Sequence, residues 1–237
     1  MNEGNVSTVI GLKGDPGIAE SVIVARDIEL ANYLDARVHL CHMSLRRSVE
    51  LIRQAKKQGI KVTAEATPHH FSLTDEAVKT YSTNTKVNPP LRSADDVMAI
   101  KEGLKDGTID CIVTDHAPHT KEDKEVDFEQ APYGMIGLET SLGLVIRELV
   151  EPGVLSWPQL VEKMSANPAK IVGLENKGII KEGADADITI IDPKKEWEFK
   201  EKDIASKSKN SPFLGWKLKG AVEYTILGGK VVYKSES

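Results

Sequence analysis

The sequence predicts an α/β fold, part of a parallel βα barrel followed by a small β module. Three observations carry the prediction. Strand-like and helix-like runs alternate over the first half of the chain. The polar, His- and Asp-bearing residues fall at the C-terminal ends of the strand-like runs, where α/β folds build their sites. From Gly183 onward strand-like runs follow one another with short turns.

Asp15-Pro16 reads as a helix start, Asp as N-cap and Pro at the first helical position. Ile18, Val22, Ala25 and Ile28 then recur at helical spacing as far as Asp35. Arg37 to His42 is a short strand. Ser44 reads as the cap of a helix carrying Val49, Ile52 and Ala55, stopped at Gly59. Ile60 to Thr67 is a second strand. Ser93, with Asp96 three residues on, opens a helix with Val97, Ile100 and Leu104 that Gly107 closes. Ile109 to Thr114 is a third strand. Parallel strands need crossovers of this length, so the three strands read as βα units. Leu138–Val150 and Trp157–Ser165 read as helices, and Asn167-Pro168 starts another. Asp187–Ile191, Glu223–Leu227 and Lys230–Tyr233 are strands, the last two a hairpin across Gly228-Gly229. Lys202 to Ser211 is a polar loop. The expected division is 1–180 for the barrel part and 181–237 for the β module.

The 237 residues are 40% hydrophobic and 28% charged, the balance of a globular protein, and aromatics at 5% leave the core to aliphatic side chains. A net charge of −5 without basic blocks argues against nucleic acid as a partner. No apolar run approaches the roughly 20 residues of a membrane helix. Cys41 and Cys111 lie in apolar runs, which predicts buried free thiols and a reducing, cytoplasmic setting.

The strongest chemical signal is Thr114 to His119, TDHAPH, after an apolar strand. A carboxylate there can hold a metal and exchange protons with water. Spacing alone leaves a second reading open, in which Asp115 caps a turn and His116 and His119 are loop residues. In HLCH, alternation separates His39 from His42; His42, at the strand exit, is the better ligand candidate, and His39 a hydrogen-bonded structural histidine. His69 and His70 follow the second strand, and both read as turn residues satisfied by backbone groups. Asn88, in the proline-rich run VNPPLR, can present an amide to a polar ligand or mark a stiff turn. Tyr133-Gly134 can be a loop whose bare backbone approaches a ligand closely.

Taken in order, VHLCHMS, VTAEATPHHFSLTDE, KVNPPLRS, GTIDCIVTDHAPHTKEDK and APYGMIGLET resemble the bacterial dihydroorotases of the amidohydrolase superfamily. The resemblance runs from about Gly11 to the final hairpin. It implies a (β/α)8 barrel of TIM type, of which this chain has the last three strands, with a flanking β-sandwich. It implies reversible hydrolysis of dihydroorotate to N-carbamoyl-L-aspartate in pyrimidine synthesis, at a centre of two zinc ions. His42 then matches a ligand of the second zinc. Asp115 matches a ligand of the first and the proton-transferring group. Asn88, His119, Tyr133 and Gly134 match substrate-contacting positions.

The family's HxH pair and its remaining ligands have no counterpart in this sequence, and residues 1–14 read like an interior loop. The expectation is therefore a chain inactive by itself, with exposed sheet edges. Its expected partners are a complementary N-terminal chain, a second copy, or aspartate transcarbamoylase. Two further readings stand beside this one: an allantoinase or hydantoinase, disfavoured by Asn88, and a non-catalytic dihydroorotase-like subunit.

Overall fold

The structure, a computed structural model, describes residues 1–235; Glu236 and Ser237, the end of the expected β module, lie outside the described residues. A short helix α1 (Asn5–Ile10) is followed by α2 (Ile18–Leu34), β1 (Val38–Leu40), α3 (Arg46–Lys57), β2 (Val62–Ala66), α4 (Pro68–Ser72), α5 (Ala94–Asp106) and β3 (Cys111–Ile112). The three strands form one parallel sheet in the order β1-β2-β3, with His39 beside Thr63 and Glu65 beside Cys111.

Strand alternation gives this sheet two unlike faces. Leu40, Val62, Ala64, Ala66 and Ile112 point to one side and pack with Val24, Ile28, Val49, Ile52, Ile100 and Leu104 of the helices. Ile52, Ile100 and Leu104 are wholly buried, each worth about 1.5–3 kcal/mol of transfer free energy. His39, Thr63, Glu65 and Cys111 occupy the other, polar face.

The helix signals hold in part. Ser93 and Asp96 form the expected capping box, and Gly107 closes α5 in the left-handed region. Asp15 does not cap α2: Gly17 takes that place, and Asp15 bridges to Asn2 instead. Ser44 does not cap α3 either, because its hydroxyl is drawn to the Glu20 carboxylate and to the Arg92 guanidinium. The expected loop over residues 1–14 contains α1, whose Ile10 carbonyl accepts from the Tyr81 hydroxyl. On α2 the buried face is Ser21, Val24, Ile28 and Ala31, whereas the predicted Ile18 and Val22 are exposed.

Beyond β3 come α6 (Lys121–Lys124) and α7 (Ser141–Val145), the latter continuing to Val150 as a π-helical turn. The 157–166 helix likewise changes from α to π midway. A second sheet is antiparallel, β4 (Ile188–Glu198), β5 (Lys217–Leu227) and β6 (Lys230–Lys234). The predicted hairpin forms, with Leu227 opposite Lys230 and both turn glycines at positive φ. β4 and β5 run longer than expected. Phe199, Phe213 and Leu218 from this segment bury against Val87, Leu91, Met135, Ile136 and Leu144, which ties it to the loops beyond the parallel strands.

Candidate metal centre

His42 and Asp115 stand just beyond β1 and β3, and both adopt left-handed backbone geometry, φ 57° and 46°. Non-glycine residues take that conformation at some cost, and it is met at functional sites. The result is that Nε2 of His42 lies 3.7 Å from Oδ1 of Asp115. His69, placed by the α4 turn after β2, brings its Nε2 to 3.8 Å from Oδ2 of the same carboxylate. Three strand exits thus converge on Asp115.

His69 corrects the sequence reading, which took it as a satisfied turn residue. Its ring is 2% exposed, and its Nε2 has no hydrogen-bond partner. The signal lay in the proline: Pro68 starts a helical turn, so the two histidines no longer diverge as in a strand. His70 keeps the structural role expected of it. Its Nδ1 meets the Thr67 hydroxyl at 2.7 Å and its Nε2 the Pro89 carbonyl at 2.9 Å, which anchors the Asn88-Pro89 loop.

The electrostatics suit a cation. Burial pushes the Asp115 carboxyl above its ordinary range, and Glu65 adds to this while His42 opposes it. Burial, with His70 and His42 beside it, holds His69 well below the usual imidazole range, so it is neutral and offers a lone pair. Two ligand atoms on one tetrahedral zinc lie about 3.4 Å apart, so the 3.7 and 3.8 Å separations need only small adjustments to share an ion. The orphaned His69 Nε2 and the N/O donor set fit such an ion.

Behind His42 lies Glu65, 10% exposed at its side chain, with Oε1 3.2 Å from His42 Nδ1 and Oε2 2.9 Å from His39 Nε2. The first contact is within ion-pair range but off-line for a hydrogen bond, so His42 Nδ1 is without a formal partner. His39 is hydrogen-bonded on both ring nitrogens, to Thr63 at 2.8 Å and to Glu65, as expected of a structural histidine. Donor atoms of His39, Glu65 and Cys111 lie within 4.8 Å of one another. Burial and the adjacent carboxylates push the Cys111 thiol up to about 12, and both His39 ring nitrogens are engaged by Thr63 and Glu65, so this trio is a poor metal site. Cys111 is buried as predicted, but Cys41 is exposed: it lies beyond the last residue of β1.

The expected substrate-contacting residues form two groups. Asn88 lines a cleft of about 460 Å³ with His39, Cys41, Met43 and Arg92. His119, Tyr133 and Gly134 lie together: His119 Nε2 is 2.8 Å from the Tyr133 carbonyl, and a Cβ on Gly134 would sit 2.6 Å from the Ala117 Cβ. Gly134 has φ 131°, so this close approach requires glycine. Tyr133 is 55% exposed under the Lys86 ammonium. Sequence reasoning missed two residues that hold this loop. Buried Lys124 donates to the Pro132 and Gly134 carbonyls, both at 2.9 Å. Asn210, in the segment expected to be a plain polar loop, donates to the Ala117 and Gly134 carbonyls and accepts from the His119 amide.

With this geometry in view, the likenesses to known proteins are coherent. The amidohydrolase family model matches residues 18–232. A dihydroorotase of Geobacter metallireducens is 58% identical over 234 residues, covering 99% of this chain and 55% of that protein. One of Pelotomaculum thermopropionicum is 59% identical over 232 residues, 98% of this chain and 54% of its own length. Among solved structures, an L-hydantoinase (dihydropyrimidinase) of Arthrobacter aurescens matches with a TM-score of 0.86 at 35% identity, over 90% of this chain and 48% of that one. The chain spans about half the length of the curated relatives it matches. The chain belongs to the amidohydrolase family, as a partial, dihydroorotase-like member.

Proposed function

We propose that this chain carries part of a zinc-dependent dihydroorotase site, for the reversible hydrolysis of dihydroorotate to N-carbamoyl-L-aspartate. The observation that carries the reading is the carboxylate of Asp115 facing His42 Nε2 at 3.7 Å, each from its own strand exit. The three parallel strands are then the last three of a (β/α)8 barrel within residues 1–180, and β4–β6 are strands of a flanking sandwich within 181–237.

In this reading His42 and Asp115 hold zinc, and the unpartnered Nε2 of His69 offers a third donor beside them. Bound zinc would contribute Lewis acidity, drawing electron density from the ring-amide carbonyl and acidifying water. Asp115 accepts the proton released as water attacks and delivers it to the departing ring nitrogen. Its semi-buried setting suits the task, because burial raises its basicity toward the working range of a proton carrier. Asn88, His119, Tyr133 and Gly134 hold the ring and its polar substituents, with Lys124 and Asn210 fixing the backbone that presents them.

The chain acts only when completed. Two zinc ions need more ligands than His42, Asp115 and His69 supply. Among the described residues β1 and β3 each pair with β2 alone, which leaves an edge on either side for complementary strands. Those strands could come from a complementary N-terminal chain. Coexpression with the N-terminal half of a dihydroorotase, followed by assays on dihydroorotate, allantoin and hydantoin, tests the reading. Turnover of dihydroorotate is expected, with none by the chain alone in zinc. Turnover of hydantoin instead would favour the second reading, a hydantoinase-type cyclic amidase, which the likeness to the Arthrobacter aurescens structure supports.

A further inference from the structure

Glu65 lies at the centre of the polar sheet face, between two imidazoles. Its residue is 8% exposed, and among the described residues its ion-pair contacts are His39 and His42. A buried carboxylate without a lysine or arginine partner keeps its charge only by accepting hydrogen bonds. The donors beside it are the ring N–H groups of the two histidines and the Cys41 thiol.

On the far side, Thr63 Oγ1 contacts His39 Nδ1 at 2.8 Å and Glu65 Oε2 contacts His39 Nε2 at 2.9 Å. The Thr63 hydroxyl also lies 3.5 Å from the Val38 carbonyl, and a neutral His39 satisfies its two shorter contacts by accepting from that hydroxyl and donating Nε2–H to the carboxylate. The carboxylate is thereby fixed, with Oε1 turned to Nδ1 of His42 at 3.2 Å. A proton on that nitrogen leaves Nε2 of His42 bare, and Nε2 is the atom that faces Asp115. We propose that Glu65 is a positioning residue that holds His42 as its Nδ1–H tautomer, aims Nε2 at the metal position, and is itself anchored by His39 and Thr63. This rests on the reading of His42 as a metal ligand, but not on the identity of the substrate. A carboxylate behind a ligating imidazole strengthens the ligand and fixes its ring, and loss of such a group lowers metal affinity about 10–100-fold.

The test uses the full chain, ¹⁵N-labelled at histidine, at a pH above the imidazole range and without metal. Two-bond proton–nitrogen spectra should report His42 as Nδ1–H and His39 as Nε2–H. His42 found as Nε2–H in the unaltered chain overturns the proposal, whatever any variant does. Glu65→Leu and Glu65→Gln differ little in volume, but only glutamine keeps an acceptor oxygen. Glu65→Leu should release the His42 tautomer and weaken Co²⁺ binding, followed by visible absorption, by tenfold or more. Glu65→Gln should retain the His42 Nδ1–H form and most of the affinity, its amide oxygen facing His42 and its NH2 donating to a His39 switched to Nδ1–H. Equal behaviour of the two variants means that Glu65 only fills space, and the proposal falls. If the completed enzyme leaves dihydroorotate untouched while the tautomers respond as stated, the substrate reading fails and the positioning role stands.

Discussion

Nε2 of His42 faces Oδ1 of Asp115 across 3.7 Å, and neither residue could do so in a regular strand conformation. Both sit at positive φ, so the chain turns sharply where each strand ends and throws the side chain over the end of the sheet. That turn converts two distant strand exits into one pair of donors.

Asp115→Asn keeps the shape but removes the charge and the proton-accepting oxygen. The chain should fold normally by circular dichroism while its Co²⁺ affinity drops. The completed enzyme should lose about 10²–10⁴ in kcat, the usual worth of a positioned acid–base group. Unchanged turnover in this variant would remove Asp115 from the mechanism.

His70 makes stability sensitive to acid. Burial lowers its folded-state pKa to about 4 from the ordinary 6.5, so between these values the unfolded chain binds more protons than the folded one. Stability from this group is complete above pH 6.5 and is lost as pH falls toward 4. At pH 4.5 the loss should be about 2–3 kcal/mol. His70→Gln should be less stable at neutral pH yet lose less on acidification. Urea midpoints at pH 7 and 4.5 for both chains measure it, and parallel losses would contradict the assignment.

Lys124 is buried with its ammonium spent on two loop carbonyls. Lys124→Met leaves the Pro132 oxygen without that donor and should cost about 1–3 kcal/mol. The loop around Tyr133 should become a site of limited proteolysis, and KM of the completed enzyme should rise more than kcat falls. Resistance to protease equal to that of the unaltered chain would show that the loop is held by other contacts.

Helix α2 exposes Ile18, Val22, Ile23, Leu30, Tyr33 and Leu34, apolar side chains that a solvent-facing helix rarely gathers. The chain alone should therefore self-associate with rising concentration. A Val22→Lys, Leu30→Lys double variant should shift sedimentation toward monomer without loss of helix content. Concentration-independent sedimentation of the unaltered chain would argue that this face needs no cover.

The order of elements was legible from the sequence because helix and strand periods, the Ser93 capping box and the Gly107 and Gly228-Gly229 turns are local signals that the chain obeys. Asp115 and His42 could be singled out because a polar residue after an apolar strand stands out against its neighbours. What the sequence could not contain was the competition between caps and distant partners. Ser44 turned to Glu20 and Arg92, and Asp15 to Asn2, because those contacts come from elements far away in the chain. The same holds at the site. His69 reaches Asp115 because a helical turn rotates it there, and Glu65 matters because parallel register sets it beside His39 and behind His42. Local physics fixed which residues end the strands; only the packing of three strands side by side decided which of their side chains meet.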